Sequence, residues 1–352
     1  MTTVHGGFDT AELRAENLTR DQVLDFSSNI NPLGPSPRVR QAASEADLSA
    51  YPDRECLDLR EALAAKLGVG IDQLMIGNGS TELIHLLARA LLRAQSRCLI
   101  FAPTFGEYEA AAALAGAEIE HVWAAAAEGF RWPMDAAVQT INAMRPAMVF
   151  LCNPNNPTGV YLDRESVERL SAAVGASGLL VLDASYAPLA DGAWDALPLL
   201  RRGNVAVLRS MTKDHALAGV RLGYLAAPPA VVEAAHRLQP SWSVNAVAQA
   251  VGLAALADQA HVTAAREVIA EAKAYLQTHL AALGVPAASS AGNFMLVRVG
   301  DAAKMRRALL RRRILVRDCT SFGLPDHIRI AARAPEECAR LIAALRDVLA
   351  HG

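Results

Sequence analysis

The 352-residue sequence is poor in cysteine, in aromatic residues and in excess charge, and each scarcity excludes a class of protein. Its five cysteines are widely spaced and form no C-x-x-C pair, which excludes a disulfide framework and a zinc knuckle. The 34 basic and 36 acidic residues give a formal net charge of −2, unlike the strongly basic surface of a general nucleic-acid binder. The nine histidines form no metal-binding motif, so we expect no metal site.

Segments that would direct the chain to a membrane are also missing. Residues 1–9 contain neither the basic region nor the apolar run of a signal peptide. The longest uncharged stretch, residues 238–257, is interrupted by proline and by several polar residues, so it is not a membrane span. Because 52% of the residues are hydrophobic, the chain can build a large core. We expect a cytoplasmic enzyme with no nucleic-acid or membrane partner.

Short apolar runs alternate with helical patterns in the middle of the chain. Several runs are continuously apolar, as is typical of strands that are covered on both faces. The runs lie at residues 97–101, 118–123, 147–152, 179–183, 204–209 and 221–226, and the helical patterns at 81–93, 106–114, 135–144 and 163–174. This alternation predicts an α/β domain with a mostly parallel sheet.

The pattern changes after about residue 231. A long helical stretch is followed by three apolar runs and a closing helix, which predicts a smaller α+β domain. These segments lie at residues 260–283, 294–299, 314–317, 328–331 and 335–349. The first fifty residues are rich in turn formers and predict an irregular arm with a short helix. We therefore divide the chain into an N-terminal arm (1–50), a large domain (51–235) and a small C-terminal domain (236–352).

Lys213 is the first candidate for chemistry, because the usual nucleotide-binding and hydrolase motifs are absent. A lone lysine after a predicted strand is usually a surface residue. Here Ser210 and Thr212 flank it, and Arg221 follows eight residues later. A lysine able to form a Schiff base, with an arginine and hydroxyls to hold a phosphate, is what a phosphorylated aldehyde cofactor needs.

Two further motifs follow predicted strands. Asp183 ends an apolar run, where a carboxylate is costly unless it meets a cation such as a protonated pyridine nitrogen. A turn or helix-capping aspartate is the ordinary alternative. The turn-rich segment 153–159 follows another run, and its Asn156 amide would reach a phenolic oxygen of the cofactor.

Two motifs at predicted helix starts complete the set. Gly79, Ser80 and Thr81 open a helix, where backbone N–H groups and hydroxyls suit a phosphate, although serine and threonine cap many helices. Phe105 lies at a strand-to-helix turn and would stack on a flat ring. A core aromatic is the ordinary alternative for Phe105.

The order and spacing of these motifs resemble the fold-type I pyridoxal-phosphate enzymes, specifically the class I/II aminotransferase family, over essentially the whole chain. The resemblance implies an aspartate aminotransferase-like fold, whose large domain binds pyridoxal 5′-phosphate (PLP). It also implies a homodimer with shared active sites, because Tyr51-Pro52 matches a motif whose tyrosine reaches the phosphate of the other subunit.

The resemblance also assigns roles. Lys213 would form the Schiff base, Asp183 would meet the pyridine nitrogen, and Phe105 would stack on the ring. Tyr186 and Asn156 would contact the ring oxygen O3′. The phosphate would be surrounded by Gly79, Ser80, Thr81, Ser210, Thr212 and Arg221, with Tyr51 from the partner.

Within the family, three segments resemble the threonine-phosphate decarboxylases of cobalamin biosynthesis more than the related histidinol-phosphate aminotransferases. They are residues 5–7, 25–34 and 242–245. The resemblance implies that Arg329 and Arg317 bind a substrate carboxylate and that His5 and Asn29 help to bind a substrate phosphate. We expect decarboxylation of L-threonine O-3-phosphate to (R)-1-aminopropan-2-yl phosphate. The alternative is an aminotransferase acting on histidinol phosphate or a related phosphorylated or amino-acid substrate. His215, where both relatives usually have an aromatic residue, departs from either pattern.

Overall fold

The computed structural model describes residues 5–351, which form a large sheet, a smaller sheet and the helices that cover them. The helices are α1 Thr10–Ala15, α2 Pro37–Glu45, α3 Leu57–Leu67, α4 Gly79–Leu91, α5 Glu107–Leu114, α6 Met134–Met144, α7 Arg164–Val174, α8 Met211–Asp214, α9 Pro229–His236, α10 Ala246–Leu256, α11 Gln259–Ala282, α12 Ala302–Leu310 and α13 Pro335–His351. The strands are β1 Leu24–Asp25, β2 Leu74–Asn78, β3 Arg97–Ala102, β4 Glu118–Trp123, β5 Met148–Cys152, β6 Leu179–Asp183, β7 Val205–Ser210, β8 Leu222–Ala226, β9 Phe294–Arg298, β10 Ile314–Leu315, β11 Arg317–Asp318 and β12 His327–Ala331.

The large sheet has seven strands in the order β2-β8-β7-β6-β5-β3-β4. Strands β3 to β7 pair in parallel, and β8 pairs antiparallel with both β7 and β2. Every residue of β5 and β6 is buried, which explains their continuous apolar runs. Cys152 pairs with Asp183 at the carboxyl ends of these strands, so the loops that follow β5, β6 and β7 meet at one edge of the sheet.

Helices cover both faces of the large sheet. One apolar core contains side chains of α3, α6, α7 and α10, and the other contains side chains of α4, α5 and α9. Burying an apolar stripe of each helix against the sheet is what stabilises such a three-layer arrangement. The α/β architecture with a mostly parallel sheet is confirmed.

A third core lies between the smaller sheet, of order β11-β12-β9, and the helices α11, α12 and α13. The N-terminal arm takes part in it, because Phe26 is fully buried there and β1 pairs in parallel with β10. Helix α10 packs instead on α2 and α3. The domain boundaries at residues 50 and 235 stay a prediction.

The predicted strands and helices agree with the observed ones to within two residues at each end, with one exception. The apolar run at 314–317 forms two short strands, since β10 pairs with β1 whereas β11 pairs with β12. The sequence analysis did not predict β2, because its run ends in the turn formers Gly77 and Asn78. Within residues 5–351, no helix is long and apolar enough to cross a membrane.

Candidate active site

A cavity of about 370 Å³ lies at the carboxyl ends of β5, β6 and β7, between the large sheet, the arm and the smaller sheet. It collects most of the side chains that the sequence analysis selected. The predicted residues that line it are His5, Asn29, Ser80, Thr81, Phe105, Asn156, Asp183, Tyr186, Ser210, Thr212, Lys213, Arg221, Arg317 and Arg329. Gly79 borders Arg221 beside it, and Tyr51 lies outside it.

Lys213 extends into this cavity from the short helix α8, which directly follows β7. Its Nζ lies 5.5 Å from the centre of the Tyr186 ring. Burial, and next the positive charges of Arg329 and Arg221, lower the pKa of Lys213 to about 8. Only about a tenth of the amine is then neutral at pH 7, but this is far more than at the ordinary pKa of 10.5, and the neutral form is the one that acts as a nucleophile or a proton acceptor.

Asn31 of the arm holds the backbone around Lys213. Its N–H donates to the carbonyl of Lys213 at 2.8 Å, and its Nδ2 donates to the carbonyl of Asp214 at 2.8 Å. The last carbonyls of a helix have no intrahelical partner, so these two bonds complete the end of α8. The arm thereby fixes the turn that carries the lysine.

Asp183 ends β6 and is buried at the floor of the cavity. The hydroxyl of Tyr108 donates to its Oδ2 at 2.7 Å, and the backbone N–H of Ser185 donates to its Oδ1 at 2.9 Å. Each carboxylate oxygen thus has one donor and keeps the capacity to accept another. A carboxylate held in this way suits a cationic ring nitrogen.

The loop after β5 is built by two asparagines and leaves a third for the cavity. Asn153 bonds the backbone of Leu162 through both ends of its amide, and Asn155 donates to the carbonyl of Pro103 at 2.9 Å. Asn156 is buried against the cavity, where its Oδ1 accepts a hydrogen bond from Nη1 of Arg329. The structure therefore explains why the motif contains several asparagines.

An anion site lies where α4 begins. Gly79 has φ of +78°, and a Cβ at this residue would lie 2.5 Å from Nη2 of Arg221. Only glycine both adopts this conformation readily and allows the guanidinium so close. The N-cap residue Asn78 makes no side-chain cap bond, so the first N–H groups of α4 suit an external acceptor. The hydroxyls of Ser80, Thr81, Ser210 and Thr212 also line the cavity.

Two arginines face the cavity from the smaller sheet. Arg317 of β11 lies directly opposite Arg329 of β12 in the antiparallel register, and both are buried. Burial, and next the charge of Arg329, lower the pKa of Arg317 to about 10. Arg329 donates through Nη2 to the carbonyl of Ser27 at 2.6 Å. Paired guanidinium groups of this kind bind carboxylate or phosphate.

Several buried polar atoms around the cavity have no hydrogen-bond partner among the described residues. They are Asn29 Oδ1, Ser185 Oγ and Arg329 Nε. Leaving such groups unpaired is costly, so the cavity has unused capacity for both donors and acceptors. This is what a polar ligand requires.

His5 and Tyr51 lie at the margins of the site. His5 is half exposed at the cavity, where its Nε2 lies 2.9 Å from Oε1 of Glu107, a residue that also pairs with His85. Its role towards a substrate phosphate stays a prediction. Tyr51 is 82% exposed and stacks on Trp242 with ring centres 4.7 Å apart.

Sequence reasoning missed several lining residues. Tyr108 and Ser27 belong to segments that had been selected for their neighbours, so their proximity to Phe105 and Asn29 was a usable signal. Phe322 also lines the cavity and lies 5.2 Å below the guanidinium of Arg317. Nothing in its sequence neighbourhood marks it.

Comparison with known proteins agrees with this geometry. The family profile described as aminotransferase class I and II matches residues 21–345. The histidinol-phosphate aminotransferase of Symbiobacterium thermophilum is 38% identical over 335 residues, which are 94% of this chain and 91% of that protein. The crystal structure of histidinol-phosphate aminotransferase from Sinorhizobium meliloti in complex with pyridoxal-5′-phosphate matches with a TM-score of 0.87 at 27% identity and covers 98% of this chain and 95% of that one.

The L-threonine-O-3-phosphate decarboxylase of Porphyromonas gingivalis also shares the fold, with a TM-score of 0.82 at 26% identity over 92% of this chain and 99% of that one. Sequence relatives that are 37–40% identical over 93–94% of this chain are all histidinol-phosphate aminotransferases. The expectation of threonine-phosphate decarboxylation in cobalamin biosynthesis is therefore wrong, and the alternative aminotransferase reading is the better supported one. The expected aspartate aminotransferase-like fold and the cofactor pyridoxal 5′-phosphate are confirmed.

Proposed function

Because the chain belongs to the family of class I and II aminotransferases, we propose that it is a PLP-dependent aminotransferase that acts on histidinol phosphate or a closely related phosphorylated amine. The observation that carries the proposal is the similarity to histidinol-phosphate aminotransferases along nearly the whole chain. The cavity adds chemical support, since it combines a lysine of lowered pKa with a buried carboxylate and two anion-binding regions.

The donor set of the cavity fits PLP. Lys213 would bind the aldehyde, and Asp183 would accept a hydrogen bond from the ring nitrogen. Asn156 and Tyr186 would contact the ring hydroxyl. Phe105 offers a flat surface for the ring. The phosphate would lie in the space beside Gly79 that a Cβ would fill. The residues that would surround it there are Ser80, Thr81, Ser210, Thr212 and Arg221. When bound, PLP supplies an electron sink that stabilises negative charge at the substrate Cα.

Lys213 is the residue that moves the proton. Its pKa of about 8 lies near neutral pH, and a general base is most effective when its pKa is close to the pH at which it acts. Its Nζ would take a proton from the Cα of the amino donor in the first half-reaction and deliver one to the Cα of the 2-oxo acid acceptor in the second. Burial of the surrounding side chains excludes water from this transfer.

Arg329 and Arg317 hold the anionic part of each substrate in turn. Histidinol phosphate has a phosphate and no carboxylate, whereas a 2-oxo acid acceptor has a carboxylate. Guanidinium groups bind both anions through parallel N–H donors. One arginine pair therefore serves both half-reactions of an aminotransferase. His5 and Asn29 assist at the phosphate.

A cytoplasmic homodimer with shared active sites is part of the proposal. Leu48, Tyr51 and Trp242 are large, exposed side chains, and exposed apolar groups of this kind are enriched where proteins associate. Tyr51 then belongs to the partner's phosphate site, which agrees with its distance from the cavity of its own chain. All five cysteines are buried and unpaired, as in proteins of a reducing compartment.

The test is an assay with histidinol phosphate and 2-oxoglutarate in the presence of PLP. We expect glutamate to form in proportion to the histidinol phosphate consumed, and no glutamate when either substrate is omitted. L-Threonine O-3-phosphate is the comparison substrate. Release of CO₂ from it, without glutamate from histidinol phosphate, would contradict the proposal.

A further inference from the structure

Tyr108 is a cavity residue to which the proposed function gives no role. It lies in the first turn of α5 and is fully buried. Its ring stacks on Phe150 with centres 5.0 Å apart and planes 12° apart, and it meets the ring of Phe105 edge-on at 5.6 Å. Two aromatic contacts of this kind fix the ring, and with it the position of the hydroxyl.

The hydroxyl of Tyr108 donates to Oδ2 of Asp183 at 2.7 Å, a contact between residues 75 positions apart in the sequence. Burial, and next the charge of Asp183, raise the pKa of Tyr108 well above its ordinary value. The phenol therefore keeps its proton and remains a donor. An ionised carboxylate only accepts, so the direction of this bond is determined.

The other groups around Asp183 cannot replace this donor. Cys152 pairs with it across β5 and β6, but its thiol is a weak donor and already donates to the carbonyl of Pro154 at 3.3 Å. Lys213 is committed to the cofactor aldehyde in the proposed function. The N–H of Ser185 bonds the opposite carboxylate oxygen. Tyr108 is thus the side-chain donor on Oδ2.

We propose that Tyr108 is a positioning residue for the cofactor: its hydroxyl fixes the Asp183 carboxylate in the orientation in which it accepts the protonated ring nitrogen of PLP. The inference rests on the proposed role of Asp183 as the partner of that nitrogen. With one donor on each oxygen, the carboxylate does not rotate away when the ring binds. A pre-oriented carboxylate stabilises the ring charge without a reorganisation cost.

A purely structural role makes a different prediction. A buried phenol needs a hydrogen-bond partner wherever it lies, and loss of such a bond lowers stability alone. The two roles separate in the properties of the bound cofactor, which a structural tyrosine does not affect.

The experiment compares Tyr108→Phe with the matched control Tyr161→Phe. Both changes remove one hydroxyl from a tyrosine whose oxygen has a protein partner. The hydroxyl oxygen of Tyr161 accepts a hydrogen bond of 3.2 Å from the backbone N–H of Trp194, and Tyr161 does not line the cavity. The measurements are the dissociation constant of PLP from the apoprotein, the pH at which the visible absorbance of the bound cofactor changes, and kcat and KM. The melting temperature of each apoprotein reports stability separately.

We expect Tyr108→Phe to weaken PLP binding roughly tenfold, as for the loss of one hydrogen bond to a charged group. The pH midpoint of the absorbance should shift upward, because a less firmly protonated ring withdraws less charge from the Lys213 nitrogen. The kcat should fall while the KM for histidinol phosphate stays near its original value. Tyr161→Phe should leave all of these cofactor properties unchanged.

Two outcomes would each overturn a different claim. If Tyr108→Phe changes only the melting temperature, the inference is wrong and Tyr108 is a structural residue. Asp183→Asn tests the premise on its own. If that variant binds PLP as tightly as the original protein, with an unshifted absorbance, the proposed cofactor site itself is wrong.

Discussion

The side of the cavity that carries Lys213 and Asp183 grows from neighbouring strands of one sheet, whereas the side that carries Arg329 and Asn29 joins distant segments of the chain. We call them the cofactor wall (Asn156, Asp183, Tyr186 and Lys213) and the substrate wall (His5, Asn29, Arg317 and Arg329). All four residues of the cofactor wall end or closely follow β5, β6 or β7. In the substrate wall, Arg329 bonds Ser27 across 302 residues.

This difference indicates which part of the fold positions the cofactor-binding residues and which part positions the substrate-binding residues. Parallel strands bring the residues that follow them to one edge whatever the loops contain, so the cofactor wall is a property of the sheet. The substrate wall depends on how the arm lies on the smaller sheet. Asn29 Oδ1 and Arg329 Nε of this wall have no partner among the described residues, so a bound substrate can supply one.

The largest effect is expected in the cofactor wall, from Lys213→Ala. Aminotransfer should fall by about 10⁴-fold or more, because the variant has no amine to bind the aldehyde or to move the proton. The visible absorbance of bound PLP should disappear. Lys66→Ala, which removes an exposed lysine that bonds the carbonyl of Leu256, is the control and should keep both. Absorbance that persists in Lys213→Ala sinks the assignment of the lysine.

A smaller and different effect is expected in the substrate wall, from Arg329→Gln. We expect kcat/KM for histidinol phosphate to fall about 100-fold through lost charged hydrogen bonds, while bound PLP keeps its absorbance. Arg298→Gln is the control, because Arg298 is exposed, pairs with Asp326 and does not line the cavity. If Arg329→Gln lowered PLP affinity as much as it lowered kcat/KM, the distinction between the cofactor wall and the substrate wall would be wrong.

The smallest expected effect is the influence of the Arg329 charge, in the substrate wall, on the pKa of Lys213 in the cofactor wall. The reaction of the apoprotein with pyridoxal, trapped by borohydride, should accelerate as pH rises through about 8, where Lys213 loses its proton. The pKa is lowered, so the neutral amine appears below the ordinary value of 10.5. Arg329→Gln should move the midpoint upward by less than about one unit, since burial is the larger cause. A midpoint near 10.5 in the original protein contradicts this account.

The same difference explains what the sequence could and could not predict. Asp183, Asn156 and Lys213 were predictable because each follows an apolar run, and the parallel sheet converts that local pattern into proximity. The bond from Tyr108 to Asp183 and the register of Arg317 with Arg329 are long-range, and no local pattern encodes them. The incorrect decarboxylase assignment was drawn from segments 5–7, 25–34 and 242–245. The first two segments lie in the arm. Which bond of the substrate breaks depends on the orientation in which the substrate is held, and these short segments do not determine that orientation.

The two hydrogen bonds from Asn31 to the carbonyls of Lys213 and Asp214 have a consequence for redesign. Ser27, four residues earlier, accepts from Arg329, so one short stretch of backbone is anchored at both ends to opposite sides of the cavity. An arm taken from a relative with one residue more or less between these anchors must release either the arginine or the turn of the lysine. Replacing the arm would therefore affect both the binding of substrate by the arginine and the position of the catalytic lysine. A chimaera that is meant to change substrate preference alone must keep the four-residue spacing between Ser27 and Asn31.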